Sequence, residues 1–598
     1  MYYKFLLILI FSVLLFGDTN ETTQKSYAIF EKDKKIVHAS HNIAFRGFEG
    51  IEQTQLQEAM GVDTPSFIEF WKSDIPKIKD KLLPTLSDSL HAFYESEGYY
   101  DANCSVDINN TWVLVNIKEN QPVRIKDINI SSDYNVTNLI TLNSGDIFRA
   151  KDFINIKNSI VEALLKEGYC SYDLDSKAYV NLDKAEVDLR FILTKGGYCT
   201  FGKVTTKGLE RIDEDVVISR VRAREGKRFN IEMIQESYKS LYDLDAFDMV
   251  SIRYDRKYYN IVPIDIELAE ITKKNYFIGG LSYDTNVGAG VRVEYTRKNF
   301  LGDAQQLKIA SSYSKLEQLL EFRYKVPALF SIANYSIDFS SKIGYSNLEY
   351  EGFMEEKGYF QTYLAYTNEK LHIRGGIVLE NIDISLRDNV DEGEEVYSIN
   401  DGTFFLVYPF LHFSYDRRDS KLNPKKGYYL AGMVEYGLDY DTDSSSYLKY
   451  SLEGRLIHTL HKLTLSSVLK AGVVDQMANE LPESKLFFGG GAYSNRAYGY
   501  NQIGVILSPK EYALSGALTM GNLSLEANYP IIGDIYGAVF NDNTMLTDES
   551  YDFSGEILSS VGMGVRYITP IGPIKLDVAM NIKEPSQYGI GFQIGQSF

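Results

Sequence analysis

Residues 572–579 read GPIKLDVA, and they carry the pattern that decides the fold of the C-terminal half. Apolar and charged side chains take turns in this stretch, in the order Ile574, Lys575, Leu576, Asp577 and Val578. Successive side chains of a β-strand point to opposite faces of the sheet. The alternation therefore predicts a strand with one apolar face and one polar face.

The same alternation recurs from about Asn275 to Phe598. Strand after strand with one apolar and one polar face is the signature of a transmembrane barrel with lipid outside and water inside. Such a sheet must close, because open strand edges cannot lie in lipid. The 324 residues of 275–598, at ~20 residues per strand and connection, predict an all-β transmembrane antiparallel β-barrel of about 16 strands. The alternative is a soluble β-sandwich, which shows the same alternation.

Composition also separates the two halves of the chain. Of the 45 glycines and 45 tyrosines, 33 glycines and 29 tyrosines lie in residues 271–598. Tyrosine suits the interfaces of a membrane protein, because its ring is apolar and its hydroxyl group bonds to water. The formal net charge of −19 argues against a nucleic-acid partner, since a basic surface supplies most of that affinity.

The first residues have the pattern of an export signal. Lys4 precedes an apolar run from Phe5 to Phe16 that is interrupted only by Ser12, and Gly17 follows as a candidate cleavage position. This pattern predicts a signal peptide over residues 1–17. The run is too short for a membrane-spanning helix, which needs ~20 apolar residues. The alternative is a buried helix.

The N-terminal half contains repeated α+β units. Two copies are predicted over 122–196 and 197–271, and a more diverged copy over 26–121. The predicted order in each copy is strand, helix, helix, strand, strand, which is typical of small α/β modules in tandem. The diverged copy has a helical region predicted from Ser66 to Glu97. The alternative is a generic tandem of α/β domains.

Motifs for catalysis and for cofactors are absent from the sequence. It contains no GxxxxGK[ST] phosphate loop, no HExxH and no GxSxG. Cys104, Cys170 and Cys199 have no metal or redox spacing. Cys170 and Cys199 are a candidate disulfide pair, which leaves one cysteine over. We therefore predict a protein that is not an enzyme, with no catalytic residue, no metal and no cofactor.

The repeated units resemble POTRA domains, which are periplasmic peptide-binding modules. The resemblance rests on the element order, on the glycine before the second helix and on the Gly-Tyr after it, as in Gly98-Tyr99 and Gly168-Tyr169. Such a module leaves a strand edge with unpaired N–H and C=O groups, so an extended chain can add to it as a further strand. The resemblance implies a periplasmic receptor for unfolded outer-membrane protein clients.

Residues 487–498, FFGGGAYSNRAY, resemble the loop-six motif of the outer-membrane assembly-factor superfamily. The matching positions are Gly490, Gly491, Ser494, Arg496 and Tyr498. Asn495 and Ala497 depart from the usual valine and glycine of the motif. The resemblance implies that the loop folds back into the barrel lumen and that Arg496 pairs with an aspartate on a barrel strand, for which Asp542 is the candidate. The alternative is an arginine exposed on an extracellular loop.

Three further segments resemble the same superfamily, namely 299–307, 416–427 and 562–577. The last strand resembles the terminal β-signal of bacterial outer-membrane proteins, because it alternates up to an aromatic end. Its opposite face carries glycines, which have little to pack and weaken a strand. Its pairing with the first strand, about 275–285, is therefore predicted to be a yielding lateral seam. The residues assigned to this seam and terminal signal are Leu281, Tyr588, Gly589, Gly591, Gly595 and Phe598.

Three POTRA-like units before the barrel resemble the TamA family, whereas the BamA family typically has five and two-partner secretion transporters two. The resemblance implies an insertase or translocase in the outer membrane of a Gram-negative bacterium. It would assemble β-barrel or autotransporter clients by lateral opening of the seam, with a TamB-like inner-membrane partner and with outer-membrane lipid around it. The alternatives are a general BamA-type assembly factor, the outer-membrane end of a phospholipid-transfer system, and a passive porin or secretion channel.

Overall fold

The computed structural model describes most of the chain between residues 40 and 594. The described ranges are 40–63, 75–255, 260–284, 288–332, 335–350, 352–386, 399–439, 445–506, 514–569 and 572–594. The predicted signal peptide, residues 1–17, lies outside these ranges, and so do Gly595 and Phe598. The chain divides into two compact units, Met1–Cys199 and Thr200–Phe598, and each is described by itself.

The first unit begins with a four-stranded sheet and its helices. The elements are β1 (Ser40–Arg46), α1 (Gln53–Ala59), β2 (Lys77–Lys79), a 3-10 helix (Asp80–Thr85), α2 (Leu86–Ser96), β3 (Asn103–Ile108) and β4 (Trp112–Lys118). The strand order is β2-β1-β4-β3, with β1 parallel to β4. Helix α2 packs on the sheet through an apolar stripe of Leu86, Leu90 and Tyr94, which are all buried.

The predicted helical region Ser66–Glu97 is wrong in part, because residues 77–79 form strand β2. Proline lacks a backbone N–H and disfavours helical geometry in the residue before it. Pro76 therefore disfavours a helix at this point, and Pro84 lies in the short 3-10 helix that follows. Residues 66–74 of the predicted region lie outside the described ranges. The strand contributes to the core, since the side chain of Ile78 is fully buried.

The second sheet of the first unit comprises β5 (Arg124–Ser132), α3 (Ala150–Glu167), β6 (Asp173–Asn181) and β7 (Glu186–Thr194), in the order β5-β7-β6. The predicted helix between β5 and α3 is wrong, since residues 133–149, all described, contain turns and no helix. Turn-forming residues explain this difference. Asn143 donates its N–H to the carboxylate of Asp146 at 2.8 Å, and Gly145 has a φ of 95°.

The three cysteines of the chain all lie in the first unit. Cys170 and Cys199, the candidate pair, form a disulfide with their Cα atoms 5.8 Å apart. Strands β6 and β7 lie between the two cysteines, so the bridge encloses this antiparallel pair. Cys104 is buried and free.

The second unit begins with a module that has the predicted order of strand, helix, helix, strand, strand. Its elements are β8 (Thr200–Lys207), α4 (Glu214–Arg220), α5 (Ile231–Tyr242), β9 (Phe247–Tyr254) and β10 (Ile261–Glu270). The strand order is β8-β10-β9, with β8 parallel to β10. The side chain of Asn230 accepts a hydrogen bond from the N–H of Glu232 and caps α5.

The rest of the second unit is a large antiparallel sheet. Its strands, with a short ribbon of β22 and β23 inserted, are β11 (Asn275–Asp284), β12 (Gly288–Arg297), β13 (Gln306–Tyr313), β14 (Glu317–Ile332), β15 (Tyr335–Glu349), β16 (Phe353–Thr367), β17 (Leu371–Leu386), β18 (Gly402–Asp416), β19 (Gly427–Gly437), β20 (Ser446–Leu460), β21 (Leu463–Ala478), β22 (Val505–Ile506), β23 (Leu514–Ser515), β24 (Thr519–Ile532), β25 (Ile535–Thr547), β26 (Ile557–Thr569), β27 (Gly572–Asn581) and β28 (Tyr588–Ile594). Sixteen strands, from β11 to β28 without the ribbon, pair in chain order. The predicted fold class, α+β POTRA modules followed by a barrel of about 16 strands, is confirmed.

The faces of the barrel strands follow the alternation of the sequence. On β27, Leu576 and Val578 are 50% and 46% exposed, whereas Lys575 and Asp577 are 6% and 5% exposed. Apolar side chains therefore face outward, toward lipid, and polar side chains face the inside of the barrel. Within the described residues, no helix has the length and apolar character needed to cross a membrane.

The module and the barrel of the second unit are joined by a carboxylate. Glu270 accepts hydrogen bonds through Oε1 from the N–H groups of Glu210, Arg211 and Ile212, at 2.7–2.9 Å. Its other oxygen, Oε2, accepts from the side-chain amide of Asn299 at 3.2 Å. Asn299 begins the 299–307 motif, which comprises most of the turn between β12 and β13 and the first residues of β13. This turn is therefore a docking point for the last module.

Candidate functional site

The candidate site is the lumen loop, by which we mean the described residues 479–506 and 514–518 between β21 and β24. It contains a 3-10 helix at Glu483–Lys485 and two backbone bridges, from Phe487 to Ala517 and from Gly489 to Ile503. Its side chains bond to inward-facing residues of the barrel strands, as described below. The loop therefore lies inside the barrel, where the loop-six resemblance predicts it.

Gly490 and Gly491 form a tight turn that only glycine accommodates. Their φ angles are 98° and 82°, a left-handed region that other residues rarely adopt. A Cβ atom on Gly490 would lie less than 3.0 Å from the carbonyl oxygen of Gly499. The N–H of Gly491 donates to the carbonyl of Tyr498 at 2.9 Å, so the turn brings the two ends of the motif together.

Arg496 lies against Asp542, the aspartate that the sequence pointed to. Its Nε is 2.8 Å from Oδ2 and its Nη2 is 2.9 Å from Oδ1, so the guanidinium bonds both carboxylate oxygens. The backbone N–H of Arg496 also donates to Oδ2, at 3.1 Å. The Asp542 side chain is fully buried. Asp542 is on β25, so the loop is tied to the barrel wall at this point.

Three further charged residues, which the sequence reasoning missed, complete this cluster. Arg496 Nη1 is 2.7 Å from Glu526 Oε2 on β24 and 3.6 Å from Asp577 Oδ2 on β27. Arg566 on β26 also bonds Glu526, at 3.0 Å, and Asp577. The guanidinium of Arg496 stacks 3.4 Å from the ring centroid of Phe540. We call these residues the arginine anchor: Arg496, Glu526, Asp542, Arg566 and Asp577.

The sequence did carry a signal for two of these residues. Arg566 and Asp577 lie in the 562–577 segment, at charged positions of strands whose other face is apolar. Inward charges on lipid-facing strands are costly unless they are paired. A search for charges of opposite sign at inward positions would have included both.

The neighbours of Arg496 hold the loop by neutral contacts. The amide of Asn495 donates to the carbonyl of Leu558 at 3.0 Å and accepts from the hydroxyl of Ser560. Ser494 accepts from the amide of Asn522 at 3.3 Å. Asn495, which departs from the usual valine of the motif, therefore ties the loop to β26 through polar bonds.

Ala497 and Tyr498 continue these contacts toward β27. Ala497 is fully buried and packs with Phe540 and Ala579. The hydroxyl of Tyr498 accepts a hydrogen bond from the amide of Asn581. Ala497, where the motif usually has glycine, has an ordinary negative φ, so the alanine fills space without straining the backbone.

A second anchor, at Lys485, was not indicated by any pattern in the sequence. Lys485 Nζ is 2.6 Å from Glu380 Oε2 on β17, 2.8 Å from the Tyr408 hydroxyl on β18 and 3.7 Å from Glu435 Oε2 on β19. Its backbone carbonyl accepts from Lys449 Nζ on β20 at 2.7 Å. The Lys485 side chain is 10% exposed. We call these residues the lysine anchor: Lys485, Glu380, Tyr408, Glu435 and Lys449.

The last strand also touches the loop. A Cβ atom on Gly589 would lie less than 3.0 Å from the carbonyl oxygen of Arg496. Gln587, just before β28, donates its side-chain amide to the carbonyl of Ala497 at 2.9 Å. The expectation that this face of the strand has little to pack is therefore wrong at Gly589, because the loop backbone packs there. Gly591 has open space around it, as expected.

The other seam residues lie at the two ends of the sheet order. Leu281 is on β11, where it pairs with Val291 of β12. Tyr588 begins β28 and is 64% exposed on the outer face. Strand β28 has 7 residues, and its neighbour β27 has 10. Gly595 and Phe598, the remaining residues of the terminal signal, lie outside the described ranges.

The arrangement holds a loop in place, and its charged groups bond one another. Among the described residues, no group of three or more histidine, cysteine, aspartate or glutamate side chains is placed to bind a metal ion. The buried carboxylates of the arginine anchor have guanidinium partners. The chemistry that this site supports is therefore a set of buried ion pairs, which position the loop against strands β24–β28.

Two family descriptions match the chain. "Omp85 superfamily domain" matches residues 299–598, which is half of the chain. "Surface antigen variable number repeat", the POTRA repeat, matches residues 121–196 and 199–270.

Curated relatives and solved structures extend this similarity. The outer membrane protein assembly factor BamA of Nitratidesulfovibrio vulgaris is 19% identical over 567 residues, which cover 91% of this chain and 70% of the relative. BamA of Neisseria meningitidis serogroup B is also 19% identical, over 93% of this chain and 78% of the relative. The crystal structure of BamA from Haemophilus ducreyi lacking POTRA domains 1-3 has a TM-score of 0.54 at 16% identity, covering 79% of this chain and 100% of that chain. That likeness is one of fold.

Proposed function

The chain belongs to the Omp85 superfamily, and from this premise we propose that it assembles unfolded β-barrel clients into the outer membrane. The protein is an outer-membrane barrel with POTRA modules in the periplasm. The observation that carries the proposal is the lumen loop, which the arginine anchor holds against the last strands of the barrel. The similarity to BamA assembly factors supports the same function.

Insertion of a client needs no chemical fuel. A client strand gains ~25 cal/mol for each Å² of apolar surface that reaches lipid, so the process runs downhill. What the client lacks is a path that keeps its backbone N–H and C=O groups paired, because unpaired groups are costly in lipid. A barrel whose own strand edge pairs with the client supplies this path. No covalent bond is made or broken, so the proposed function is not enzymatic.

The POTRA modules are proposed to receive the client as an added strand. In the second sheet of the first unit, β6 lies at one edge of the order β5-β7-β6. An edge strand presents unpaired backbone groups, and main-chain pairing does not depend on the client's sequence. This suits a receptor that serves many unfolded clients.

The seam between β11 and β28 is then proposed to open, so that the terminal strand of the client pairs with β11. Support comes from the position of both strands at the ends of the sheet order. Further support comes from β28, which has glycines at 589 and 591. The lumen loop contacts this strand at Gly589, so a shift of the loop and a shift of the strand are coupled.

A reversible crosslink tests the seam. In a Cys104→Ala background, one pair of cysteines is placed at positions 281 and 591, across the seam. A control pair is placed at 578 and 590, which are register partners on β27 and β28 and do not span the seam. Client insertion into liposomes is measured before and after oxidation, and again after reduction. We expect the seam pair to block insertion reversibly and the control pair to leave it unchanged; unchanged insertion by the oxidised seam pair would overturn lateral opening.

The subfamily and its partner are a further part of the proposal. Three POTRA-like units favour a TamA-type factor with a TamB-like inner-membrane partner over a general BamA-type factor. Site-specific photocrosslinkers on the exposed edge strand β6, placed at Lys177 or Tyr179, would capture either a client or such a partner. A very large β-rich inner-membrane protein in the crosslinked product supports the TamA-type assignment, and clients alone support the BamA-type assignment.

The passive-channel alternative is disfavoured by the lumen loop. The loop is bonded to β24–β27 through the arginine anchor and to β17–β20 through the lysine anchor, so it crosses the interior between two parts of the wall. Single-channel conductance tests this point. Low conductance that rises when both anchors are removed is expected, whereas a large, steady conductance of the unaltered protein would favour the channel.

A further inference from the structure

A cavity of about 650 Å³ lies between the last module and the barrel, both within the second unit. Its module side is formed by residues 220–244, which include parts of α4 and α5. Its barrel side is formed by the strand ends and turns of β14–β18, at the edge of the barrel that faces the module. We call it the rim cavity. It is separate from the lumen loop and from both of its anchors.

The rim cavity has an excess of positive charge. Arg220 and Lys325 pair with Asp338, and Lys239 pairs with Glu369. Four further cations line it, and among the described residues none of their side chains has a carboxylate partner: Arg222, Arg224, Lys227 and Lys370. Only two more carboxylates, Glu236 and Asp243, line the cavity.

This excess runs against the charge of the whole chain, which is −19. Like charges that lie close together repel one another, so a cluster of unpaired cations in one concave site is unfavourable unless something offsets the repulsion. Arg222 and Arg224 are both half-buried. Burial and the neighbouring Arg222 guanidinium lower the pKa of Arg224. A bound anion would relieve that repulsion.

The chemistry of the cations favours a phosphate group. A guanidinium presents a planar fork that bonds two oxygens of a phosphate or carboxylate together. Two arginines separated by one residue, with lysines beside them, provide donors from several directions. A phosphate diester carries one full negative charge at every pH of the periplasm.

Lipid-facing aromatic residues form another part of the same cavity. Tyr335 and Tyr366, at the ends of β15 and β16, lie edge to face with ring centroids 5.3 Å apart. Tyr335 is 52% exposed and pairs with Ile332, which is 60% exposed on the outer face of the barrel. Tyrosine at such a strand end marks the membrane interface. The cavity therefore joins a cationic pocket to the surface where acyl chains lie.

We propose that the rim cavity binds the headgroup of an anionic phospholipid from the periplasmic leaflet of the outer membrane. The phosphate lies against Arg222 and Arg224, and the glycerol and acyl chains leave past Tyr335 and Tyr366. The proposal rests on the membrane orientation given under Proposed function, and it does not depend on insertase activity. A lipid held there would bridge the last module and the barrel wall.

Lipid retention by the full-length protein tests the proposal. The protein is reconstituted into nanodiscs of phosphatidylethanolamine with phosphatidylglycerol, extracted into mild detergent, and analysed by native mass spectrometry for bound lipid. The variant is Arg222→Gln with Arg224→Gln. The matched control, Lys203→Gln with Lys207→Gln, removes the same charge from exposed positions of β8 in the same module.

We expect the unaltered protein and the control to retain phosphatidylglycerol at least tenfold more than the arginine variant. Equal retention by all three would overturn the proposal. Folding of each variant is checked by the heat-dependent gel shift of the barrel, and single substitutions at 222 and 224 replace the double variant if it fails to fold.

Two competitors identify the source of the anion. Inorganic phosphate at millimolar concentration should fail to displace the lipid, and displacement would show a site for free phosphate and overturn the lipid assignment. A peptide with an aromatic C-terminal residue and a free carboxylate should also fail, and displacement by it would show a site for client chains instead. No client is present in these measurements, so their outcome is distinct from that of the seam crosslink.

Discussion

The two anchors of the lumen loop hold the same segment by different chemistry. At the arginine anchor, a planar guanidinium bonds both oxygens of Asp542 and one oxygen of Glu526. At the lysine anchor, a single ammonium group lies between Glu380 and the Tyr408 hydroxyl. The planar guanidinium fixes the orientation of the loop at the arginine anchor, whereas the ammonium group fixes the position of the loop at a single point.

The anchors also differ in what lies around them. The arginine anchor has a second arginine, Arg566, which shares Glu526 and Asp577 with Arg496, and it lies on β24–β27 beside the last strand. The lysine anchor lies on β17–β20, far from that strand in the sheet order. The difference teaches that the arginine anchor can couple the loop to the seam, whereas the lysine anchor determines where the loop crosses the lumen.

Removal of the arginine should have the largest effect. Arg496→Met leaves Asp542 fully buried without its bidentate partner, and loss of one member of such a pair costs ~3–5 kcal/mol. We expect a large drop in client insertion and a lower unfolding temperature of the barrel in the heat-dependent gel shift. Arg496→Lys, which keeps the charge without the fork, should recover only part of the loss. Full function of Arg496→Met would contradict the coupling role.

The pairing itself is best measured by a double-mutant cycle. Arg496→Gln and Asp542→Asn each remove a charge, and the double variant should be less damaged than the two single losses added together. A charge swap is a poorer test, because a carboxylate introduced at position 496 would face Glu526 and Asp577. Strict additivity in the cycle would argue against a direct interaction.

Removal of the lysine should have a smaller effect. Lys485→Met deletes an ammonium group that bonds Glu380 and Tyr408 at a single point, whereas Arg496 bonds both oxygens of its partner. Lys449 remains nearby and partly compensates the two glutamates. We expect a raised single-channel conductance with most client insertion retained. An insertion defect as large as that of Arg496→Met would reverse the order of the two anchors.

The contact between the loop and the last strand gives a matched pair of substitutions. Gly589→Ala places a methyl group against the carbonyl of Arg496, and overpacking of this kind costs about 1–3 kcal/mol. Gly591→Ala, two residues along the same strand, meets open space. Client insertion should fall for Gly589→Ala and stay near the unaltered level for Gly591→Ala. Equal effects would show that the strand, and not its contact with the loop, determines the outcome.

The smallest effect is expected at Ala497. Ala497→Gly restores the residue that the motif usually has, and it removes one buried methyl group from contact with Phe540 and Ala579. A buried methyl group contributes ~0.8 kcal/mol. Unfolding of the barrel in urea should show a loss of this size with client insertion unchanged. A gain in stability would show that the alanine strains the turn.

The sequence was sufficient for the elements that repeat a local pattern. Alternation predicted the barrel, because the period of two is a property of every strand, and the length of residues 275–598 predicted the strand number. The loop motif pointed to Arg496 and Asp542 together. The signal peptide over 1–17 and the module boundaries at 26–121, 122–196 and 197–271 remain predictions.

The rest depended on contacts between distant strands. Lys485 meets residues of β17, β18 and β19, and no spacing in the sequence records which inward-facing residue lies opposite which. Gly589 was predicted to weaken its strand. The sequence alone does not show that the loop backbone packs against this glycine. Strand β2 has only three residues, so it carries too short an alternation to be recognised within a segment predicted as helical.

The carboxylate of Glu270 has a mechanical consequence. It ends β10, bonds the N–H groups that precede α4, and bonds Asn299 in the turn after β12, while only residues 271–274 separate it from β11. The last module and the first hairpin of the barrel are thus connected through one carboxylate as well as through the chain. If the module receives a client as proposed, a pull on the module would be transmitted to β11, the strand at one end of the sheet, through these bonds.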